Sequence, residues 1–168
     1  ASELINEEKA RLIVQHIEYS PIDQYYDVSV FTQAAVQGCL GVNTMKADKH
    51  LYDHVRFDSR NEKTFMEKLE ENDEIEAYVK LPNSFYIPTP MGKYHPDWAI
   101  VFKQKLSKYP YFIAETKASD SSLQDREIER AKIECAKKHF ANVNGGKLKY
   151  DKVSSFEELL KIVAQDPV

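Results

Sequence analysis

The stretch from residue 94 to residue 117 reads YHPDWAIVFKQKLSKYPYFIAETK, and it decides the fold. It holds two apolar segments, 98–102 and 110–117, joined by a short polar turn. This pattern is typical of an antiparallel β hairpin. A hairpin centred near Leu106 sets Asp97 opposite Glu115. The sequence therefore predicts two facing carboxylates at one end of a buried strand pair.

Charged side chains collect at that end of the predicted hairpin. Glu115 and Lys117 share one face because side chains alternate along a strand. Facing carboxylates such as Asp97 and Glu115 repel each other unless a cation lies between them, and oxygen ligands favour Mg²⁺. A nearby lysine can activate a metal-bound water or stabilise a phosphate. These parts suit phosphodiester hydrolysis, although acids at strand ends are more often solvated surface charges.

The segments around the hairpin alternate between helix and strand patterns, with a proline-rich loop between them. The order of elements from residue 60 is α-β-β-β-α-β-α, which predicts an α/β (α+β) fold with a mixed central sheet flanked by helices. We expect an N-terminal helical accessory segment over 1–55 and a core over 56–168. The predicted elements are helices over 3–18, 60–71, 122–140 and 154–165, strands over 75–80, 98–102, 110–117 and 147–153, and a loop over 82–92.

Glu62 lies on the apolar face of the helix predicted over 60–71. With Ser59 three residues earlier it fits a capping box. A glutamate on an inward face also needs a polar partner. We therefore expect Glu62 to cap its helix, to point into the acidic site, or to do both.

The helix predicted over 122–140 carries charged side chains inside its apolar arc. Glu129 and Lys132 either pair with each other one turn apart or face a polar site or DNA phosphates. The same helix is basic elsewhere along its length. Its candidate DNA-contacting residues are Arg126, Glu129, Arg130 and Lys132.

The composition is that of an ordinary globular domain. The chain has 168 residues, of which 42% are hydrophobic and 30% charged, and its net charge is −4. This acidity disfavours a protein that only binds nucleic acid nonspecifically. No apolar run is long enough for a membrane helix, no leader peptide is visible, and no zinc or P-loop pattern occurs. The two cysteines form no disulfide framework, so we expect a cytoplasmic protein without a membrane partner.

Several motifs in order resemble the C-terminal endonuclease domain of type III restriction enzyme Res subunits. Pro96-Asp97 followed by Glu115-Thr116-Lys117 is similar to the PD-(D/E)xK nuclease signature. The resemblance covers about residues 50–141, and the chain departs from the family pattern at Ala118 and Gln124. The other similar stretches are Phe57-Asp58-Ser59 with Glu62, Lys80-Leu81-Pro82, Ile87 to Tyr94, Trp98-Ala99, and Glu129 to Ile133 with Cys135 and His139-Phe140.

The resemblance implies a restriction-endonuclease-like core and Mg²⁺-dependent hydrolysis of double-stranded DNA, with Mn²⁺ as a substitute ion. It implies that Asp97, Glu115 and Glu62 are catalytic acids that bind the metal, and that Lys117 acts on the attacking water. Implied partners are double-stranded DNA, an ATP-driven motor domain of the same full-length subunit that is absent from this chain, and a methyltransferase subunit that reads the DNA sequence. The implied setting is a prokaryotic cytoplasm.

Three alternatives stay open from the sequence. The first is another PD-(D/E)xK nuclease, of a repair or mobile-element kind. The second is a non-catalytic module that keeps the nuclease fold and binds a partner, although the intact Asp97, Glu115 and Lys117 argue against it. The third is an unrelated α/β binding domain whose acids are together by chance.

Overall fold

The described part of the chain contains eight strands and three helices. The structure is a computed structural model, and it describes residues 12, 14, 16–20, 43–103, 111–116, 123–142 and 148–164, with the backbone alone for 123–126. The elements are β1 (Thr44–Lys46), β2 (His54–Arg56), α1 (Arg60–Glu71), β3 (Ile75–Lys80), β4 (Ile87–Thr89), β5 (Gly92–Tyr94), β6 (Trp98–Phe102), β7 (Tyr111–Glu115), α2 (Leu123–Ala141), β8 (Leu148–Lys152) and α3 (Phe156–Ala164).

The central sheet is mixed and has the strand order β3-β6-β7-β8. Neighbours β3 and β6 are antiparallel, as are β6 and β7, whereas β7 and β8 are parallel. Trp98 pairs with Ala114, which is the register predicted from a hairpin centred near Leu106. Asp97 directly precedes Trp98 and Glu115 directly follows Ala114, and the Asp97 N–H donates to the Ala114 carbonyl oxygen at 3.2 Å. The two acids therefore lie at the same end of the strand pair, and their direct facing stays a prediction. The predicted mixed α/β fold is confirmed, and it is compatible with a restriction-endonuclease-like core.

The two faces of this sheet bury different amounts of apolar surface. Residues alternate between the faces along β6 and β7, as strand geometry requires. The face covered by α1 and α3 includes Phe65, Met66, Leu69, Trp98, Ile100, Phe102, Phe112, Leu159 and Val163. The face covered by α2 holds a smaller cluster, Leu81, Ile87, Tyr94, Ile113, Ile133, Ala136, Phe140 and Tyr150.

Helix α1 has the bounds that its sequence predicts. Ser59 is its N-cap, and the Ser59 hydroxyl accepts a hydrogen bond from the Glu62 backbone N–H at 3.1 Å. The capping bond satisfies one of the backbone donors that every helix start leaves open. None of the three helices in the described part of the chain has the length and apolar character needed to cross a bilayer.

The loop predicted over 82–92 is partly wrong, because it contains the antiparallel hairpin β4–β5. The turn is closed by Thr89, whose hydroxyl donates to the Gly92 carbonyl oxygen at 2.6 Å and accepts from the Met91 N–H at 3.2 Å. Gly92 has φ +99°, a conformation that a side chain would strain. Prolines fit here because the two-stranded hairpin has open edges that need no donor from them.

The region before α1 contributes a second small hairpin, β1–β2, in a stretch where the sequence predicts no definite element. Ala47 and Val55 from this hairpin join the larger apolar cluster. Of the helix predicted over 3–18, positions 12, 14 and 16 are helical and positions 17 and 18 are not, whereas 3–11, 13 and 15 lie outside the described residues. The division of the chain into 1–55 and 56–168 stays a prediction.

Candidate active site

Asp97 sits at the start of β6 with its carboxylate fixed across the strand pair. Its Oδ2 accepts two hydrogen bonds from Thr116, one from the backbone N–H at 2.8 Å and one from the hydroxyl at 2.9 Å. The Trp98 indole N–H donates to the same hydroxyl at 3.0 Å. Because Thr116 follows β7 directly, these bonds tie the ends of the two strands together. The orientation of the Asp97 carboxylate is therefore set by the hairpin.

Glu115 ends β7 and is fully buried, with 0% of its surface exposed. Its Oε2 accepts a hydrogen bond from the Tyr94 hydroxyl at 2.9 Å, and Tyr94 in turn contacts the hydroxyl of Tyr150. The backbone oxygen of Glu115 accepts the Val153 N–H at 2.9 Å. Burying a carboxylate is costly without hydrogen bonds, so the Tyr94 contact helps this position to tolerate an acid.

The two tyrosines report on the charges around them. Burial raises the pKa of Tyr94 far above its ordinary value, and the negative charge of Glu115 raises it further. Burial likewise raises the pKa of Tyr150, and the charges of Glu115, Asp151 and Asp97 add to this rise. Both hydroxyls therefore keep their protons at neutral pH.

Glu62 both takes part in the cap of α1 and binds a lysine. Its Oε2 accepts the Asp58 backbone N–H at 2.8 Å and the Lys80 ammonium at 2.7 Å. The ammonium also donates to Asp58 Oδ2 at 2.9 Å and lies 5.8 Å from the centre of the Trp98 ring. The predicted capping role of Glu62 is confirmed, with Ser59 as its partner. Its role in the acidic site stays a prediction.

Lys80 keeps its proton although its side chain is only 22% exposed. Burial alone would lower the pKa of Lys80, but hydrogen bonds and charge from Glu62 and Asp58 outweigh burial, and the pKa is raised. In the sheet, Lys80 pairs with Trp98, the neighbour of Asp97. A cation therefore lies one strand away from the proposed acids.

The donor set at the hairpin end fits a hard divalent ion. Within the described ranges, no group of three or more His, Cys, Asp and Glu side chains lies close enough to hold a metal. Asp97 and Glu115 lie at adjoining ends of the paired strands β6 and β7. Mg²⁺ commonly takes one or two carboxylates and keeps several waters, so this pair satisfies its usual requirement.

Several candidates from the sequence are only partly described. Lys117 lies outside the described residues, and Arg126 belongs to α2 but its side chain is outside the description. Glu129 and Lys132 are half-buried on α2, and Arg130 is exposed. Their predicted contact with DNA stays a prediction.

Tyr94, Tyr150 and Lys80 are the residues that sequence reasoning missed. Lys80 and Tyr94 fall inside the quoted motif stretches, but no local pattern links them to an acid. Tyr150 reaches the site because β8 lies parallel to β7, with Tyr150 paired to Ile113. A side chain with a polar atom at an inward strand position is the signal that would have found each tyrosine.

Comparison with known protein families identifies the class of protein. A family model described as an endonuclease domain matches residues 48–156, more than half of the chain. The chain belongs to this endonuclease-domain family. No curated protein and no solved structure matches it. The match includes the whole central sheet of this endonuclease domain, and it contains Glu62, Asp97 and Glu115.

Proposed function

We propose that this endonuclease domain is a Mg²⁺-dependent DNA endonuclease whose site consists of Asp97, Glu115 and Lys117. The observation that supports the proposal is the β6–β7 register, in which Trp98 pairs with Ala114, so that Asp97 and Glu115 lie at the same end of the two strands. Family membership supports a nuclease as the class of enzyme. Metal dependence and double-stranded DNA as substrate are supported by the oxygen-only donor pair and by the motifs around it.

The chemistry that suits these residues is hydrolysis at phosphorus. A bound Mg²⁺ would supply Lewis acidity and lower the pKa of a coordinated water. Thr116 fixes Asp97 Oδ2, and Tyr94 fixes Glu115 Oε2, so both carboxylates are oriented before substrate arrives. Lys117 follows Thr116 directly, and we propose that its ammonium orients the attacking water or stabilises charge on the phosphate.

We propose Glu62 as a third acid that reaches the metal only after its side chain moves, because no three such acids lie within reach of one ion among the described residues. Its carboxylate accepts the Lys80 ammonium at 2.7 Å, so Lys80 is its counter-ion in the structure. Metal binding at Glu62 therefore requires that this ammonium gives up or shares the oxygen. The Lys80 ammonium also pairs with the Asp58 carboxylate, so it keeps one acidic partner when Glu62 turns away.

The wider assignment rests on the order of the motifs along the chain. We propose that the domain serves a type III restriction enzyme in a prokaryotic cytoplasm, with an ATP-driven motor domain in the same subunit and a separate methyltransferase subunit. A net charge of −4 suits a nuclease whose DNA grip is supplied largely by such partners. Helix α2 would add local contacts to the phosphates through Arg126, Arg130 and Lys132, with Glu129 beside them.

Nicking of supercoiled plasmid tests this proposal. We expect nicking in Mg²⁺ or Mn²⁺, none in EDTA, and none in Lys117→Ala. The matched control is Lys103→Ala, which removes an exposed lysine beyond the far end of β6. Nicking that persists in EDTA or in Lys117→Ala would contradict the proposed site. A folded chain that neither nicks DNA nor binds Mn²⁺ would favour the non-catalytic module.

A further inference from the structure

Two buried tyrosine hydroxyls form a hydrogen-bonded chain that ends at the carboxylate of Glu115. Tyr94 is 3% exposed and Tyr150 is 6% exposed. Tyr94 donates to Glu115 Oε2 at 2.9 Å, and the hydroxyl of Tyr150 contacts that of Tyr94. An ionised carboxylate only accepts hydrogen bonds, and a hydroxyl has a single proton to donate. The proton of Tyr94 therefore points to Glu115, and Tyr150 donates to the oxygen of Tyr94.

The rings that carry these hydroxyls are fixed by packing. Tyr94 ends β5, and Tyr150 lies in the middle of β8, so the hydrogen-bonded chain joins two strands to Glu115 on β7. The two rings meet edge to face with centroids 6.1 Å apart, and Phe140 from α2 stacks on Tyr150 at 5.4 Å. Side chains held in this way have few alternative rotamers, because buried rings interlock with their neighbours.

We infer that Tyr94 and Tyr150 are positioning residues of the proposed metal site. Tyr94 fixes the carboxylate of Glu115, and Tyr150 orients the hydroxyl of Tyr94. Hydrogen bonds in a line polarise one another, so the donation from Tyr150 strengthens the bond that Tyr94 makes to Glu115. Partners that orient a metal-binding carboxylate commonly change metal affinity about 10- to 100-fold when removed. This inference rests on the proposed function.

A purely structural role would leave a different trace. If the tyrosines only fill space and satisfy each other, their loss changes the free energy of unfolding but not the affinity of the folded chain for metal. If they position Glu115, metal affinity falls in the folded chain. Phenylalanine is the suitable replacement, because it keeps the ring and its packing and removes the hydroxyl alone.

Titration of Mn²⁺ by calorimetry into wild type, Tyr94→Phe and Tyr150→Phe tests the inference. We expect the dissociation constant of Tyr94→Phe to rise about 10- to 100-fold. We expect a smaller rise for Tyr150→Phe, which keeps the bond from Tyr94 to Glu115. The matched control is Tyr111→Phe, because Tyr111 begins the same strand as Glu115 and is 42% exposed. Its Mn²⁺ affinity should equal that of wild type.

Plasmid nicking gives a second readout on the same variants. We expect the Mn²⁺ concentration for half-maximal nicking to rise more than the rate at saturating Mn²⁺ falls. Thermal unfolding in EDTA reports whether each variant is folded. If Tyr94→Phe does not fold, Tyr150→Phe carries the test alone.

The outcomes separate the two proposals. If wild type binds Mn²⁺ and the folded tyrosine variants bind it equally well, the positioning role is overturned while the nuclease site stands. If wild type binds no Mn²⁺, both the metal site and the positioning role are overturned. If affinity falls in the order Tyr111→Phe, Tyr150→Phe, Tyr94→Phe, the inference is supported.

Discussion

Two glutamates of the proposed site lie on opposite sides of the central sheet, and different groups hold their carboxylates. On the α1 side, Glu62 is bound by the Lys80 ammonium, which matches its charge. On the α2 side, Glu115 is bound by the uncharged hydroxyl of Tyr94. A hydroxyl orients a carboxylate without neutralising it. Lys80 offsets the charge of Glu62, whereas the hydrogen bond from Tyr94 orients Glu115 and leaves its charge in place.

The two faces of the central sheet also differ in the size of their apolar clusters. The α1 and α3 face is a large apolar layer around Trp98, and Phe65 lies 5.9 Å from the Trp98 ring. The α2 face has a smaller cluster that includes Tyr94 and Tyr150. One face therefore supplies most of the apolar burial, and the other gives up apolar contacts to support a buried acid. The larger apolar cluster and the tyrosine pair that holds Glu115 therefore lie on opposite sides of the same strands.

The largest expected effect separates the two glutamates. Glu115→Gln should reduce plasmid nicking by about a thousand-fold, since a metal ion contributes several kcal/mol to such a reaction. Glu62→Gln should reduce it by about 10- to 100-fold, because this acid shares its charge with Lys80. Both rates are measured in Mn²⁺ after circular dichroism has established that the variants fold. Equal losses, or a larger loss for Glu62→Gln, would break the comparison.

The next effect compares the stabilities of the two faces. Leu69 is fully buried on α1, and Ile133 on α2 is 7% exposed. Truncating a buried leucine or isoleucine to alanine costs about 2–5 kcal/mol. We expect Leu69→Ala near the upper end and Ile133→Ala near the lower end, measured by urea unfolding. A costlier Ile133→Ala would mean that the smaller cluster carries more of the stability than its size indicates.

A smaller effect isolates the cap beside the site. Ser59 caps α1, where its hydroxyl accepts the Glu62 N–H, and Ser155 accepts the Glu158 N–H in the same way at α3. Losing such a cap costs about 1 kcal/mol, so Ser59→Ala and Ser155→Ala should destabilise the chain equally in chemical unfolding. Only Ser59→Ala should also slow nicking, because α1 begins with Glu62. Equal rates in the two variants would show that the first turn of α1 does not affect the site.

The smallest expected effect is a loss of folding stability in acid, to which one histidine on each side of the central sheet contributes. Burial lowers the pKa of His50, near β3, and the pKa of His139, on α2, below the ordinary value of 6.5. The unfolded chain then binds more protons below pH 6.5, so the stability from neutral histidine is present above that pH and is lost as the pH falls.

Unfolding of wild type, His50→Gln and His139→Gln by urea between about pH 8 and about pH 5 measures this loss. Each variant should lose less stability than wild type over this range. His50→Gln should show the larger change, because His50 Nε2 accepts the Lys80 N–H at 3.1 Å and protonation removes that acceptor. Parallel pH profiles for all three proteins would contradict the assignment.

Local patterns in the sequence predict much of this fold. Helix α1, strand β3 and strand β6 have the predicted bounds, because helix caps and the alternation of apolar and polar side chains depend on residues close together in the sequence. The register of β6 with β7 follows from two apolar segments close together along the chain, and the predicted facing of Asp97 and Glu115 extends that register by one residue. Strands β4 and β5 were not predicted, because prolines are typical of loops. Here the prolines fit a hairpin with open edges, and Gly92 forms its turn.

The partners of the acids lie beyond local reasoning. Tyr150 contacts Tyr94, the donor to Glu115, because β8 pairs in parallel with β7, and the sequence between those strands does not specify that pairing. Lys80 meets Glu62 because α1 packs back against the sheet. Contacts of this kind depend on tertiary packing, so spacing along the chain predicts the acids but not the groups that hold them.

Calorimetric titration of Mn²⁺ into wild type, Asp97→Asn and Glu115→Gln tests the central claim most directly. Asparagine keeps an oxygen acceptor for Thr116, so Asp97→Asn removes charge while sparing the bonds that join β6 to β7. The account predicts saturable binding to wild type and at least about tenfold weaker binding to either variant. Binding to Asp97→Asn and Glu115→Gln as tight as to wild type, or no binding to wild type, would contradict it.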